Sequence, residues 1–137
     1  MTKLRKQILL ADHDELSRKL LGRVLRPRKD WEVCAEASDG PEAVRSAQAL
    51  GPNLAIIDLT IAQTDGIETV RKIMEVCKDT AVLATSVYDP SLVVDQMIKA
   101  GIRGFVSKAN IGSELIPAVE ALFSGGTYFK LAKAHAG

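Results

Sequence analysis

Residues 54–58 read Leu54-Ala55-Ile56-Ile57-Asp58: four apolar side chains in a row, then a carboxylate. A run this short and this apolar reads as a strand buried on both faces, the kind found inside a parallel sheet. The same shape recurs on either side of it. Ile8-Leu9-Leu10-Ala11 ends in Asp12-His13-Asp14, and a run containing Val33, Ala35 and Ala37 breaks at Asp39-Gly40. Ala81-Val82-Leu83-Ala84 ends near Ser86, and Ile102 to Val106 ends at Lys108.

Helical spacing fills the intervals. Leu16, Leu20, Leu21, Val24 and Leu25 mark a first helix, stopped by Pro27. Pro41 suits the first turn of a second, carrying Ala43, Val44, Ala47 and Leu50, and Gly51-Pro52 ends it. Ile67, Val70, Met74 and Cys77 mark the third. Pro90 opens a fourth with Val93, Val94, Met97 and Ile98, which stops at Gly101. Leu115, Ala118, Val119 and Leu122 face inward from the last, which Gly125-Gly126 terminates. Five β-α units in a row predict an α/β fold: an open, doubly wound parallel sheet with helices on both faces. The expected domain covers 1–126. Residues 127–137 show no strong pattern and read as a linker stub or frayed end.

Composition narrows the function. A chain of 137 residues suits one domain with a real core. A formal net charge of +1 gives no electrostatic case for nucleic acid or an anionic membrane. No apolar run approaches the roughly 18 residues of a membrane span. Cys34 and Cys77 offer neither a disulfide framework nor metal spacing, which suits a reducing cytoplasm.

Ligands of open α/β sheets bind outside the carboxyl ends of the strands. Four strands end there in Asp12-His13-Asp14, Asp58, Ser86 and Lys108. Singly, such residues have duller uses: an aspartate caps or turns, a lysine is solvated, a serine sits in a loop. Together they suit phosphoryl transfer to a side chain. Carboxylates hold Mg²⁺ through oxygen, the ion and the lysine neutralise phosphoryl oxygens, the hydroxyl donates to one of them, and a carboxylate can be the nucleophile. A flavodoxin-like enzyme would need a glycine-rich phosphate loop after the first strand, and Asp12 to Leu16 contains no glycine.

At these residues, and in the segments NLAIIDLTIAQTDGIETVRKI, ATSVYD, KAGIRGFVSKA and ALFSGGTYF, the chain resembles the response-regulator receiver domains of bacterial two-component signalling. The likeness runs from Ile8 to Phe129. Its last two segments resemble the LuxR/NarL-type subgroup, whose receivers precede a helix-turn-helix output domain. The resemblance implies a flavodoxin-like five-stranded sheet of order 2-1-3-4-5. It implies Asp58 as phosphoacceptor, Lys108 as the phosphoryl-binding lysine, Ser86 as the switch hydroxyl and Phe105 as the aromatic that moves with it. It implies Mg²⁺ held by Asp12, Asp58 and the backbone carbonyl of Thr60. It implies a sensor histidine kinase as partner, a cytoplasmic setting, and catalysis only of the domain's own phosphorylation and dephosphorylation. A pseudo-receiver, binding proteins without phosphorylation, is the alternative. Lys130 to Gly137 are far too few residues for an output domain.

Three positions depart from the family pattern. His13 stands where a second acid is usual, the one that usually touches the metal, and Asp14 is the candidate to replace it. Ala62 and Ala109 stand where proline is common. Losing a carboxylate about 4 Å from an ion, after screening, predicts Mg²⁺ binding weakened by about 1–3 kcal/mol, roughly five- to hundred-fold. His13→Asp is accordingly expected to tighten it.

Overall fold

The computed structural model describes residues 4–61 and 65–130. Its strands are β1 (Lys6–Ala11), β2 (Trp31–Ala37), β3 (Leu54–Asp58), β4 (Ala81–Ser86), β5 (Ile102–Ser107) and β6 (Tyr128–Phe129). Its helices are α1 (Glu15–Leu25), α2 (Gly40–Leu50), α3 (Gly66–Val76), α4 (Val94–Ala100) and α5 (Ile111–Phe123), with a 3-10 turn at Lys108–Asn110. All strand pairs are parallel, in the order β2-β1-β3-β4-β5-β6. This is the flavodoxin-like order expected, with one strand added at the edge.

Strand alternation sends neighbouring residues to opposite faces, and both faces are covered. Leu9, Ala11, Ala55, Ile57, Val82 and Ala84 pack with Ala43, Ala47, Val70, Ile73, Met97 and Ala100 from α2, α3 and α4. Ile8, Leu10, Leu54, Ile56 and Leu83 pack with Leu21 and Leu25 of α1 and with Leu115, Ala118, Val119 and Leu122 of α5. Every residue of β3 is buried. The apolar run that defines it therefore puts Asp58 at the end of the central strand.

Three helices start on aspartates. Asp14, Asp39 and Asp65 accept backbone N–H bonds from the first turns of α1, α2 and α3. Gly66 then allows a close crossing. Its N–H donates to the Leu59 carbonyl at 3.0 Å, and a Cβ there would sit 2.4 Å from the Leu59 Cα.

Three details differ from the sequence expectation. First, Tyr128 and Phe129 form β6, opposite Gly104 and Phe105, instead of beginning a frayed tail. Two aromatics suit a strand, and the bare Cα of Gly104 lets the Tyr128 carbonyl come within 3.0 Å of where a Cβ would stand. The Tyr128 hydroxyl also donates to Glu114 at 3.1 Å. The rest of the expected linker, residues 131–137, and Ala62 lie outside the described residues. Second, α4 begins at Val94 rather than at Pro90. Asp89 accepts from the Ser91 N–H and hydroxyl, which holds the chain in a turn, and Val93 has no side chain able to cap. Ile98, expected inside, is 53 % exposed. Third, Leu16, Leu20 and Leu50 are exposed, so the inward stripes of α1 and α2 are narrower than their leucines suggested.

Candidate functional site

The carboxyl end of the sheet gathers five of the expected residues. Asp12 leaves β1 and Asp58 ends β3, and both are fully buried. Lys108 enters from the turn after β5 and lies between them, Nζ 2.7 Å from Asp12 Oδ2 and 2.9 Å from Asp58 Oδ2. Asp58 Oδ1 accepts from the Thr60 N–H and hydroxyl, each at 3.0 Å. Half-exposed His13 turns its ring toward the acids, Nδ1 3.8 Å from Asp58 Oδ2 and 4.0 Å from Asp12 Oδ1.

The two buried acids titrate in opposite directions. Burial dominates at Asp12 and raises its pKa against the pull of Lys108 and the Asp14 N–H. Burial also pushes Asp58 up, but the Thr60 N–H and Lys108 together outweigh it and hold its carboxyl below the ordinary value. Burial presses Lys108 down, and its hydrogen bonds to Asp12 and Asp58 more than restore it. The outcome is a buried, ionised Asp58 flanked by one ammonium and by a second, less comfortable carboxylate.

Ser86 lies next to this group across the sheet, and Phe105 lies one strand further out. The β3–β4 register sets Asp58 against Thr85, which puts Ser86 one residue beyond it on the neighbouring strand. Ser86 is buried, and its Oγ accepts from the Tyr88 N–H at 2.9 Å. Phe105 is buried with the cluster under α2, α3 and α4, not in the acid pocket. A cleft lined by Val87, Tyr88, Pro90, Phe105 and Asn110 opens next to it. Asp14 serves as a cap: its Oδ2 accepts from the Ser17 N–H at 3.1 Å and from the Ser17 hydroxyl at 2.8 Å.

Two participants escaped the sequence reading. Arg18 donates to the Asp12 carbonyl and pairs with Glu36 at 3.3 Å. Thr85 Oγ1 is buried with no hydrogen-bond partner among the described residues. The helical spacing of Arg18, one turn past the Asp14 cap, was a usable signal for its return toward the site. Thr85 had none, because its position follows from the β3–β4 register.

The donor set suits a divalent cation in part. Atoms of Asp12, His13 and Asp58 lie within 4.8 Å of one another. The two carboxylates fit a hard ion such as Mg²⁺, whereas the imidazole does not.

Known proteins share this arrangement of chain. The response regulator receiver domain family matches residues 8–120. The transcriptional regulatory protein DegU of Brevibacillus brevis is 30% identical over 122 residues, covering 89% of this chain and 52% of DegU. The transcriptional regulatory protein LiaR of Bacillus subtilis is 32% identical over 119 residues, covering 87% of this chain and 56% of LiaR. The chain thus spans little more than half the length of these relatives. A two-component response regulator of the LuxR family from Aurantimonas superposes with a TM-score of 0.85 at 29% identity, over 90% of this chain and 89% of that one. The receiver domain of RcsB from Escherichia coli shares the fold, with a TM-score of 0.83 at 18% identity over 91% of this chain and 98% of its own. Among the described residues no helix is long and apolar enough to cross a membrane. By family match, fold and relatives, this chain belongs to the response regulator receiver domains, and its relatives are transcription regulators of the LuxR/NarL type.

Proposed function

We propose that this domain is a phosphorylation switch that takes a phosphoryl group onto Asp58 from a phosphohistidine of a cytoplasmic sensor kinase. The observation that carries the proposal is the ionised, buried Asp58 with Lys108 Nζ at 2.9 Å. An Asp58 carboxylate oxygen forms the new O–P bond as the donor's N–P bond breaks, and the electron pair leaves with the imidazole. Lys108, already balancing two acids, pairs with the incoming phosphoryl oxygens. Mg²⁺, held by Asp12, Asp58 and the Thr60 carbonyl, would neutralise the remaining charge on those oxygens.

The readout follows from Ser86. Its Oγ now accepts from the Tyr88 N–H. On phosphorylation the hydroxyl turns to donate to a phosphoryl oxygen, Tyr88 is released, and Phe105 shifts with the β4–α4 segment. The adjoining cleft leaves room for that movement. The domain performs only its own phosphorylation and dephosphorylation and acts on no other substrate. Its partner is the kinase, and a helix-turn-helix output module, of the kind that the receivers it resembles precede, is the element it would control. The domain itself does not bind nucleic acid. The receiver unit is 1–126 extended by β6.

His13 favours one second reading, a receiver fold that binds partners without efficient phosphorylation. Intact-mass analysis after incubation with acetyl phosphate and Mg²⁺ separates the two. A single phosphoryl adduct that disappears in Asp58→Asn supports the switch. No adduct over a wide Mg²⁺ range supports the binding module.

A further inference from the structure

Among the described residues, the one acid-pocket side chain without a use in phosphoryl transfer is His13. Its ring is half exposed, yet Nδ1 faces both buried carboxylates rather than solvent alone, at 3.8 Å and 4.0 Å. The nearby acid that could have taken its place is occupied, because Asp14 is spent capping α1. Lys108 Nζ pairs with Asp12 Oδ2 and Asp58 Oδ2. Asp12 Oδ1, which also accepts the Asp14 N–H at 2.9 Å, and His13 Nδ1 converge with Asp58 Oδ2.

We propose that His13 makes this a mixed nitrogen–oxygen cation site that selects an imidazole-accepting divalent transition ion over Mg²⁺. The inference rests on the receiver reading of the pocket. Two carboxylates and one imidazole match ions of the Mn²⁺ to Zn²⁺ series, which accept nitrogen readily, while Mg²⁺ prefers oxygen and water. A tetrahedral ion with ligands at about 2.0–2.2 Å sets neighbouring donors roughly 3.3–3.5 Å apart. The two imidazole–carboxylate separations, 3.8 Å and 4.0 Å, are a few tenths of an ångström wider, and the three donors as a set lie within 4.8 Å of one another. A half-exposed ring on the loop between β1 and α1 can close the imidazole side of that set, and the two carboxylates complete it by small rotations.

The test is a pair of titrations, Zn²⁺ and Mg²⁺ separately, on wild type, His13→Gln and His13→Asp. Calorimetry gives the affinities, and ring ¹⁵N NMR reports the His13 imidazole directly. Zn²⁺ is expected to shift the His13 ring nitrogens. His13→Gln is expected to weaken Zn²⁺ roughly ten- to hundred-fold, the range that metal-site partners ordinarily carry, while leaving Mg²⁺ nearly unchanged. His13→Asp is expected to reverse the selectivity by tightening Mg²⁺. Unmoved ring signals, or equal Zn²⁺ affinity in wild type and His13→Gln, would overturn the inference. Mass analysis with acetyl phosphate keeps the two claims apart. An Asp58 adduct without a His13 metal signature discards the ion preference and retains the switch. A His13 metal signature with no adduct under either ion retains the preference and discards the switch.

Discussion

The α1–α5 face of the sheet and the β4–α4 segment on the other face are built to different standards. On one side, α5 runs 13 residues and buries Ile111, Leu115, Ala118, Val119 and Leu122, and α1 adds Leu21 and Leu25. Trp31 meets Phe123 edge-on at 5.6 Å, Arg28 stacks over Trp31 at 4.1 Å, and the same Arg28 pairs with Glu120 at 2.8 Å. On the other side, the segment from β4 into α4 is thinly attached. Its helix has 7 residues, lacks a side-chain cap as α5 does, and buries only Met97 and Ala100. Val87, Tyr88, Leu92 and Ile98 stand in solvent. Local stability follows buried apolar contact. The contrast therefore teaches where movement is cheap. On the proposed switch, a phosphoryl group at Asp58 is expected to move the β4–α4 side first and to leave the α1–α5 side as the frame.

Truncation should expose that difference most strongly. Leu115 is wholly buried in the α1–α5 face, and Leu115→Ala is expected to cost about 2–5 kcal/mol in urea unfolding. Ile98→Ala on α4 is expected to stay within about 0.5 kcal/mol. Comparable losses at both positions would break the comparison.

A smaller effect of opposite sign is expected where the two faces meet. Asp12 is a buried acid whose folded pKa is raised, chiefly by desolvation. Below the unfolded value near 3.8 the group is protonated in both states and costs nothing. As pH rises through the raised folded pKa, the folded state must ionise it and loses stability. Asp12→Asn removes that cost and still leaves Lys108 paired with Asp58. The variant should be more stable at pH 7, on the order of 1 kcal/mol or roughly 2–8 °C in Tm. The gain should shrink as pH falls toward 4. A destabilised Asp12→Asn protein at pH 7 would show that the Lys108 bridge outweighs the desolvation.

Hydrogen exchange sharpens the same contrast without a substitution. Amides of α4 should exchange faster than those of α5 in the unphosphorylated protein. Equal protection would mean that the exposed apolar residues of the β4–α4 segment do not mark a weaker element.

Much of this molecule was legible in its sequence. Buried strands of a parallel sheet are apolar throughout, so Leu54–Ile57 and Ile8–Ala11 announced themselves, and each ended on the residue that the site uses. Asp12, Asp58 and Lys108 could be grouped because parallel strands deliver their ends to one edge. What stayed hidden depends on contacts between segments distant in sequence. Whether Asp14 caps α1 or reaches the acids is a choice of rotamer that Ser17 decides. That Tyr128 and Phe129 extend the sheet depends on the open side of β5 and on the bare Gly104. The early turn at Asp89 competes with a helix start that Pro90 alone would favour. The direction of the His13 ring had no signal in the spacing at all.

The central claim is that Asp58 takes the phosphoryl group and moves the β4–α4 side. The most direct measurement is a backbone NMR comparison before and after acetyl phosphate with divalent cation, in wild type and Asp58→Asn. The account predicts large shifts from Ser86 to Gly101 and at Phe105, small ones across α1 and the body of α5, and none in Asp58→Asn. Shifts of similar size on both faces, or the same pattern in Asp58→Asn, would contradict it.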